Sequence, residues 1–159
     1  MHVAPSLIGD KPAVYELLLK QLDELFQHEA DVVANLSNTA ALLKTTFNWW
    51  WVGFYLVKHD ELILGPFQGP VACSRIAYGK GVCGTAWKLA SSVLVPDVHR
   101  FEGHIACSAA SNSELVVPVI KNGQVVAVID ADSEHFEHFD TQDKLGIEAI
   151  ALLLAQKVF

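Results

Sequence analysis

The sequence predicts an α+β fold: one mostly antiparallel sheet, with helices from both ends of the chain covering one of its faces. Three observations carry this. Long stretches of helical periodicity lie only near the two ends, over 11–47 and 140–156. The β-like segments come in pairs joined by short turn signals, His59-Asp60 and Asn122-Gly123, which is the spacing of hairpins. The middle, about 70–112, has little periodicity, so it must cover the face that the helices leave open.

Each element has its own signal. Lys11 to Glu29 reads as a helix because Val14, Leu17, Leu18, Leu22, Leu25 and Phe26 recur at helical spacing. Asp31 to Phe47 reads as a second helix along Val32, Leu36, Ala40 and Leu43, closed by Asn48. Trp49 to Lys58 is aromatic and β-branched, a strand, and Glu61 to Phe67 is its return. Pro70 to Gly81 reads as irregular. A short helix over Val82 to Ala90 follows Gly79-Lys80-Gly81, and a short strand over Ser92 to Val95 is broken by Pro96. Asp97 to Asn112 reads as a long loop. Ser113 to Ile120 and Gln124 to Asp132 form a hairpin, and Asp140 caps a last helix reaching about Gln156.

Composition narrows the class. A chain of 159 residues, 52% of them apolar, is expected to form a single domain over 1–159 with a real core. No apolar stretch approaches the roughly 18 residues that span a bilayer, so no membrane association is expected. Met1 to Asp10 lacks a basic start and an apolar core, so no signal peptide is expected and a cytoplasmic location is. The net charge of −7 and the scattering of 11 basic residues argue against nucleic acid, which needs a clustered basic face.

The chemistry-bearing residues gather in the middle and at strand ends. Cys73, Cys83 and Cys107 are an odd set, which argues against a structural disulfide framework in a reducing compartment. Three buried cysteines acting as small apolar groups would be the bland alternative. Cys107 lies in the longest loop, among small polar residues that suit approach by a ligand. Cys83 lies in the first turn of a predicted helix, where the dipole would favour a thiolate, and Arg75 could do the same for Cys73. Structural zinc is disfavoured: there is no Cys-x-x-Cys, and His104 with Cys107 is the only close ligand pair. Asp130 and Asp132 share a strand face with Val126 and Val128, and Glu114 begins the preceding strand. Carboxyls against an apolar wall keep protons near neutrality. Trp49, Trp51 and Tyr55 alternate onto one face, as core packing or as a pocket wall.

Together, Trp49-Trp50-Trp51-Val52-Gly53-Phe54-Tyr55, Tyr78-Gly79-Lys80-Gly81-Val82-Cys83-Gly84-Thr85-Ala86, Gly103-His104-Ile105-Ala106-Cys107, Ser113-Glu114-Leu115-Val116-Val117-Pro118 and Ile129-Asp130-Ala131-Asp132-Ser133 resemble one family. It is the free methionine-R-sulfoxide reductases, which are GAF-domain proteins. The likeness runs from about Asn35 to the C-terminus. It departs at Glu102, where the family often has proline, and at Ser108, where it often has aspartate. The resemblance implies Cys107 as the attacking cysteine, Cys73 as its main resolving partner and Cys83 as a second one. It implies a substrate pocket of Trp51, Tyr55, Glu114, Asp130 and Asp132 under loops on the open face of the sheet. It also implies free methionine-R-sulfoxide as substrate, thioredoxin as reductant and a homodimer, and it calls for no cofactor and no metal.

The rival reading is a non-catalytic GAF module that senses a small ligand or redox state, since folds host many functions. A sensor is expected beside an output domain, for which 159 residues leave no room. The reductase reading makes one geometric demand, that Glu114 share a face with Asp130. A plain two-residue Asn122-Gly123 turn would put Glu114 opposite Ala131, on the wrong face. A three-residue loop with Gly123 as a G1 bulge would put it opposite Asp130, with Pro118 able to add a bulge of its own.

Overall fold

The computed structural model describes residues 10–105, 107 and 109–159. The expectations for the first nine residues, and the departure at Ser108, lie outside them.

The two N-terminal helices, α1 (Lys11–His28) and α2 (Val32–Phe47), each start where an aspartate accepts a backbone hydrogen bond: Asp10 from the Ala13 N–H and Asp31 from the Ala34 N–H. Asn48 turns left-handed at φ 53° and its N–H closes on the Lys44 carbonyl, which ends α2 as its sequence suggests. The last helix, α4 (Thr141–Lys157), opens on a capping box between Asp140 and Asp143. Tyr15 Oη and Lys11 Nζ also donate to Asp143, at 2.8 and 2.7 Å, and so join α1 to α4.

Between the helices run six strands: β1 (Trp51–Lys58), β2 (Glu61–Gln68), β3 (Arg75–Ala77), β4 (Val93–Val95), β5 (Ser113–Lys121) and β6 (Gln124–Ser133). The order across the sheet is β3-β2-β1-β6-β5-β4, and every neighbouring pair is antiparallel. The fold is the α+β arrangement expected. Two details differ. Arg75–Ala77 pairs with β2 as an edge strand, inside the segment read as irregular; three residues are too few for periodicity to register. The long loop holds one 3-10 turn, Val98–Arg100.

The two faces of the sheet bury separate cores. Helices α1, α2 and α4 close over one face, on Leu18, Leu22, Leu36, Leu43, Phe54, Ile129 and Leu154. The short helix α3 (Gly81–Leu89) and the loops close over the other, on Trp51, Tyr55, Leu62, Val82, Val116 and Val128. Trp49 corrects the expected alternation. It precedes β1 and packs in the helix-side core, stacked on Phe47 at 4.5 Å and edge-on to Phe139. The left-handed Asn48 and the Lys44 ammonium, which bonds the Trp49 and Trp50 carbonyls, hold that segment out of the strand.

The β5–β6 register is the other correction. The turn is the plain two-residue kind, Lys121 opposite Gln124, with Asn122 and Gly123 both left-handed at φ 52° and 77°. The change of parity comes from within the strands. Val119 pairs with Ala127 but Ile120 with Val125, so Val126 is an extra residue in β6, opposite the Val119–Ile120 step that follows Pro118. Glu114 therefore falls opposite Asp132 instead of Asp130. Both positions lie on the same face, so the demand that Glu114 share a face with Asp130 is met by a different device.

Candidate active site

The register sets a row across three strands: Asp132 of β6 lies between Trp51 of β1 and Glu114 of β5, its cross-strand neighbour on either side. The next row toward the sheet centre holds Gly53, Asp130 and Val116. These side chains face the loop side, where a cavity is lined by Trp51, Tyr55, Cys83, Glu114, Asp130 and Asp132 on its walls and by Val71, Ala72, Ile105 and Cys107 at its loops.

The aromatic wall also anchors the loop beside it. Trp51 stacks on Tyr55 at 6.1 Å and on Phe67 at 5.2 Å. Gly53 permits that stack, because a Cβ there would stand 2.3 Å from the Phe67 Cβ. Trp51 Nε1 donates to the Pro70 carbonyl at 3.0 Å and Tyr55 Oη to the Cys73 carbonyl at 2.9 Å. Two residues read as pocket wall thus also hold the segment that carries Cys73.

Cys73 and Cys107, 34 residues apart in sequence, form a disulfide with a Cα–Cα separation of 5.5 Å, an ordinary span for such a bond. It links the half-buried Cys73 to the exposed Cys107 at the cavity's loop side. Cys83 is a free, buried thiol. It stands in the first turn of α3, which approaches β3 closely because Gly84 has no Cβ; one would meet the Ala77 carbonyl oxygen at 2.5 Å. The expected helix-dipole activation of Cys83 is overturned. Burial pushes the thiol well above its ordinary range, and the negative charges of Asp130 and Glu114 push it further. Arg75, two residues from Cys73, pairs with Glu61 at 2.7 Å.

Three carboxyls line the cavity and all hold protons more tightly than usual. Burial is the main cause in each. It pushes Asp130 up to about 6, and it pushes Glu114 and Asp132 well above the normal carboxyl range, helped by their mutual repulsion. No lysine or arginine among the described residues pairs with any of them, and no lysine or arginine lines the cavity. Asp130 is 6% exposed, and its Oδ1 is buried without a hydrogen-bond partner. The neighbouring carboxyls could donate to it only when protonated. The cluster is therefore built to hold protons, to receive an incoming cation, or both.

Sequence reasoning missed two contributors. Ser111 Oγ donates to Asp132 Oδ1 at 2.7 Å. His104 Nε2 lies 3.7 Å from Glu114 Oε2, its ring less basic than usual through burial and the nearby His99. Both sit in a loop without periodicity, and no spacing rule could have aimed them at β5 and β6.

The GAF domain model matches residues 21–158. GAF domain-containing protein A of Dictyostelium discoideum is 50% identical to this chain, over 92% of it and 93% of the relative. The free methionine-R-sulfoxide reductase of Escherichia coli is 44% identical, over 91% of this chain and 88% of that one. The chain belongs to the free methionine-R-sulfoxide reductase family of GAF-domain proteins. The crystal structure of the family's Neisseria meningitidis member, in complex with its substrate, is 49% identical and superposes with a TM-score of 0.94, covering 99% of this chain and 95% of that one. Family membership accounts for the six-stranded antiparallel sheet and for a cavity between it and the loops, as the resemblance implied.

Proposed function

We propose that this protein reduces free methionine-R-sulfoxide to methionine with cysteine electrons. The observation that carries this reading is the Cys73–Cys107 disulfide beside a cavity whose wall holds three carboxyls of raised proton affinity. A family relative named for the same activity supports it.

The chemistry follows from the placement. The Cys107 thiolate attacks the sulfoxide sulfur. The oxygen leaves sulfur carrying a proton, which a neutral carboxyl of Glu114, Asp130 or Asp132 can supply. The substrate sulfur gains two electrons and becomes a thioether, and Cys107 loses two and becomes a sulfenic acid. The Cys73 thiol then condenses with that sulfenic acid, releasing water and forming the disulfide seen here. An external dithiol of the thioredoxin class reduces it by exchange. Cys83 serves as a second resolving partner, though its buried, proton-holding thiol makes it the slower of the two.

Trp51 and Tyr55 hold the methyl and thioether end of the substrate. An ionised carboxylate, with Asp130 Oδ1 the one lacking a partner, binds the α-ammonium. A methionine within a protein has no such ammonium, so free substrate is preferred. The enzyme is read as a cytoplasmic homodimer; no helix among the described residues is long and apolar enough to cross a membrane.

The test is turnover of the separated R and S epimers of free methionine sulfoxide with a thioredoxin system. Consumption of R alone is expected. Equal rates on both epimers, or good rates on oxidised peptides, would contradict the reading.

A further inference from the structure

We infer that the same cavity is a binding site for a thiophilic divalent cation of the zinc class, held by Cys83, Glu114 and Asp130. Ligand atoms of these three buried residues all lie within 4.8 Å of one another. Cys83 Sγ is 3.9 Å from Glu114 Oε1. Donors bound at about 2.0–2.3 Å to a tetrahedral ion stand roughly 3.3–3.8 Å apart, so a small closure of side chains completes the set. The spacing rules that disfavour structural zinc do not reach this site, because its ligands come from α3, β5 and β6 and meet only in the folded chain.

A cluster of acids alone would say little, but two further observations point to a ligand. Asp130 Oδ1 is buried, lacks any hydrogen-bond partner, and belongs to a side chain lining the cavity. The cluster also contains a thiol. A substrate ammonium is satisfied by carboxylates and has no use for sulfur, whereas a thiolate with two carboxylates suits zinc and its softer relatives. His104 Nε2, 3.7 Å from the other Glu114 oxygen, stands next to the fourth position, which it or a water fills. On binding, the Cys83 thiol proton and the proton held by Glu114 pass to solvent, and sulfur–metal and oxygen–metal bonds take their places, with no redox change.

The ion would occupy the carboxylates that the substrate needs, so it acts as a reversible competitive inhibitor. That consequence rests on the proposed reductase function; the binding site itself does not.

The experiment uses the oxidised protein, in which Cys83 is the free thiol and Cys73 and Cys107 are bonded to each other. Titration with cobalt(II), a spectroscopic stand-in for zinc, should give a thiolate-to-cobalt charge-transfer band with one equivalent, and zinc should displace it. Cys83→Ser should abolish the band, and Asp130→Asn and Glu114→Gln should each weaken binding at least tenfold, with folding checked by circular dichroism. Absence of the band in the parent protein, or a band unmoved by Asp130→Asn and Glu114→Gln, overturns the site. Zinc that binds yet leaves the KM for the R-sulfoxide unchanged overturns the inhibition. A cobalt band with the expected variant behaviour in a protein that turns over neither epimer upholds the metal site and removes the reductase reading.

Discussion

Strand β6 faces two environments in alternation. Ala127, Ile129 and Ala131 point into the helix-side core, while Val128, Asp130 and Asp132 point into the loop-side cavity. The helix side buries apolar groups against Leu18, Leu22 and Leu154, so burial there only stabilises. The loop side buries carboxyls and a thiol beside aromatic rings, so burial there works against the charged forms. Residues one apart on one backbone thus serve opposite ends. One face serves only to hold the fold together, and the other, beside an apolar core of its own, also buries groups poised to exchange protons.

Variants of the two faces should separate these roles. The largest effect is expected at the disulfide. Cys107→Ser should lower reduction of the R-sulfoxide by at least about a thousandfold, some 4 kcal/mol in the barrier. Cys73→Ser should keep a single turnover and accumulate a trappable sulfenic acid, seen by mass spectrometry. Normal turnover by Cys107→Ser would show that the reactive group has been misassigned.

On the other face, Leu22→Ala removes a fully buried side chain and should destabilise by about 3 kcal/mol in urea unfolding, within the usual range for such cavities. KM should stay unchanged under conditions where the variant is folded. A large KM change would mean that the faces are not separable.

Asp130→Asn should do the reverse: lower activity and raise stability above neutral pH. The folded value of Asp130 is about 6, above the unfolded value near 4. Proton binding therefore favours the folded state. That stabilisation is complete below about pH 4 and is lost as pH rises through about 6. The variant should be more stable than the parent by roughly 2 kcal/mol at pH 8, and its stability should fall less between pH 4 and 7. Identical pH profiles for parent and variant would remove the claim that this carboxyl is buried at a cost.

The smallest effect is expected far from both faces. Lys20 pairs with Glu16 at 2.9 Å on the exposed side of α1. Lys20→Ala should change stability by less than about 0.5 kcal/mol and leave activity alone. A larger shift would point to an uncounted role for that helix face.

The sequence by itself determined the helices at both ends, the two hairpins and the antiparallel class, because these follow from local periodicity, caps and turn residues within a few positions of each other. It also carried the motif likeness that picked out Cys107, Cys73, Glu114, Asp130 and Asp132. The tertiary structure decided what depends on partners distant in the chain. Trp49 left the expected row of pocket residues because the left-handed Asn48 and Lys44 hold it on the helix side. Glu114 reached the cavity through an extra residue in β6, not through the turn. Cys83, in a position where a helix dipole should activate it, became a proton-holding thiol because the fold buries it, and the charges of Asp130 and Glu114 add to that. Proton affinity depends on burial and on the charges within a few ångströms, and only the folded chain sets those distances.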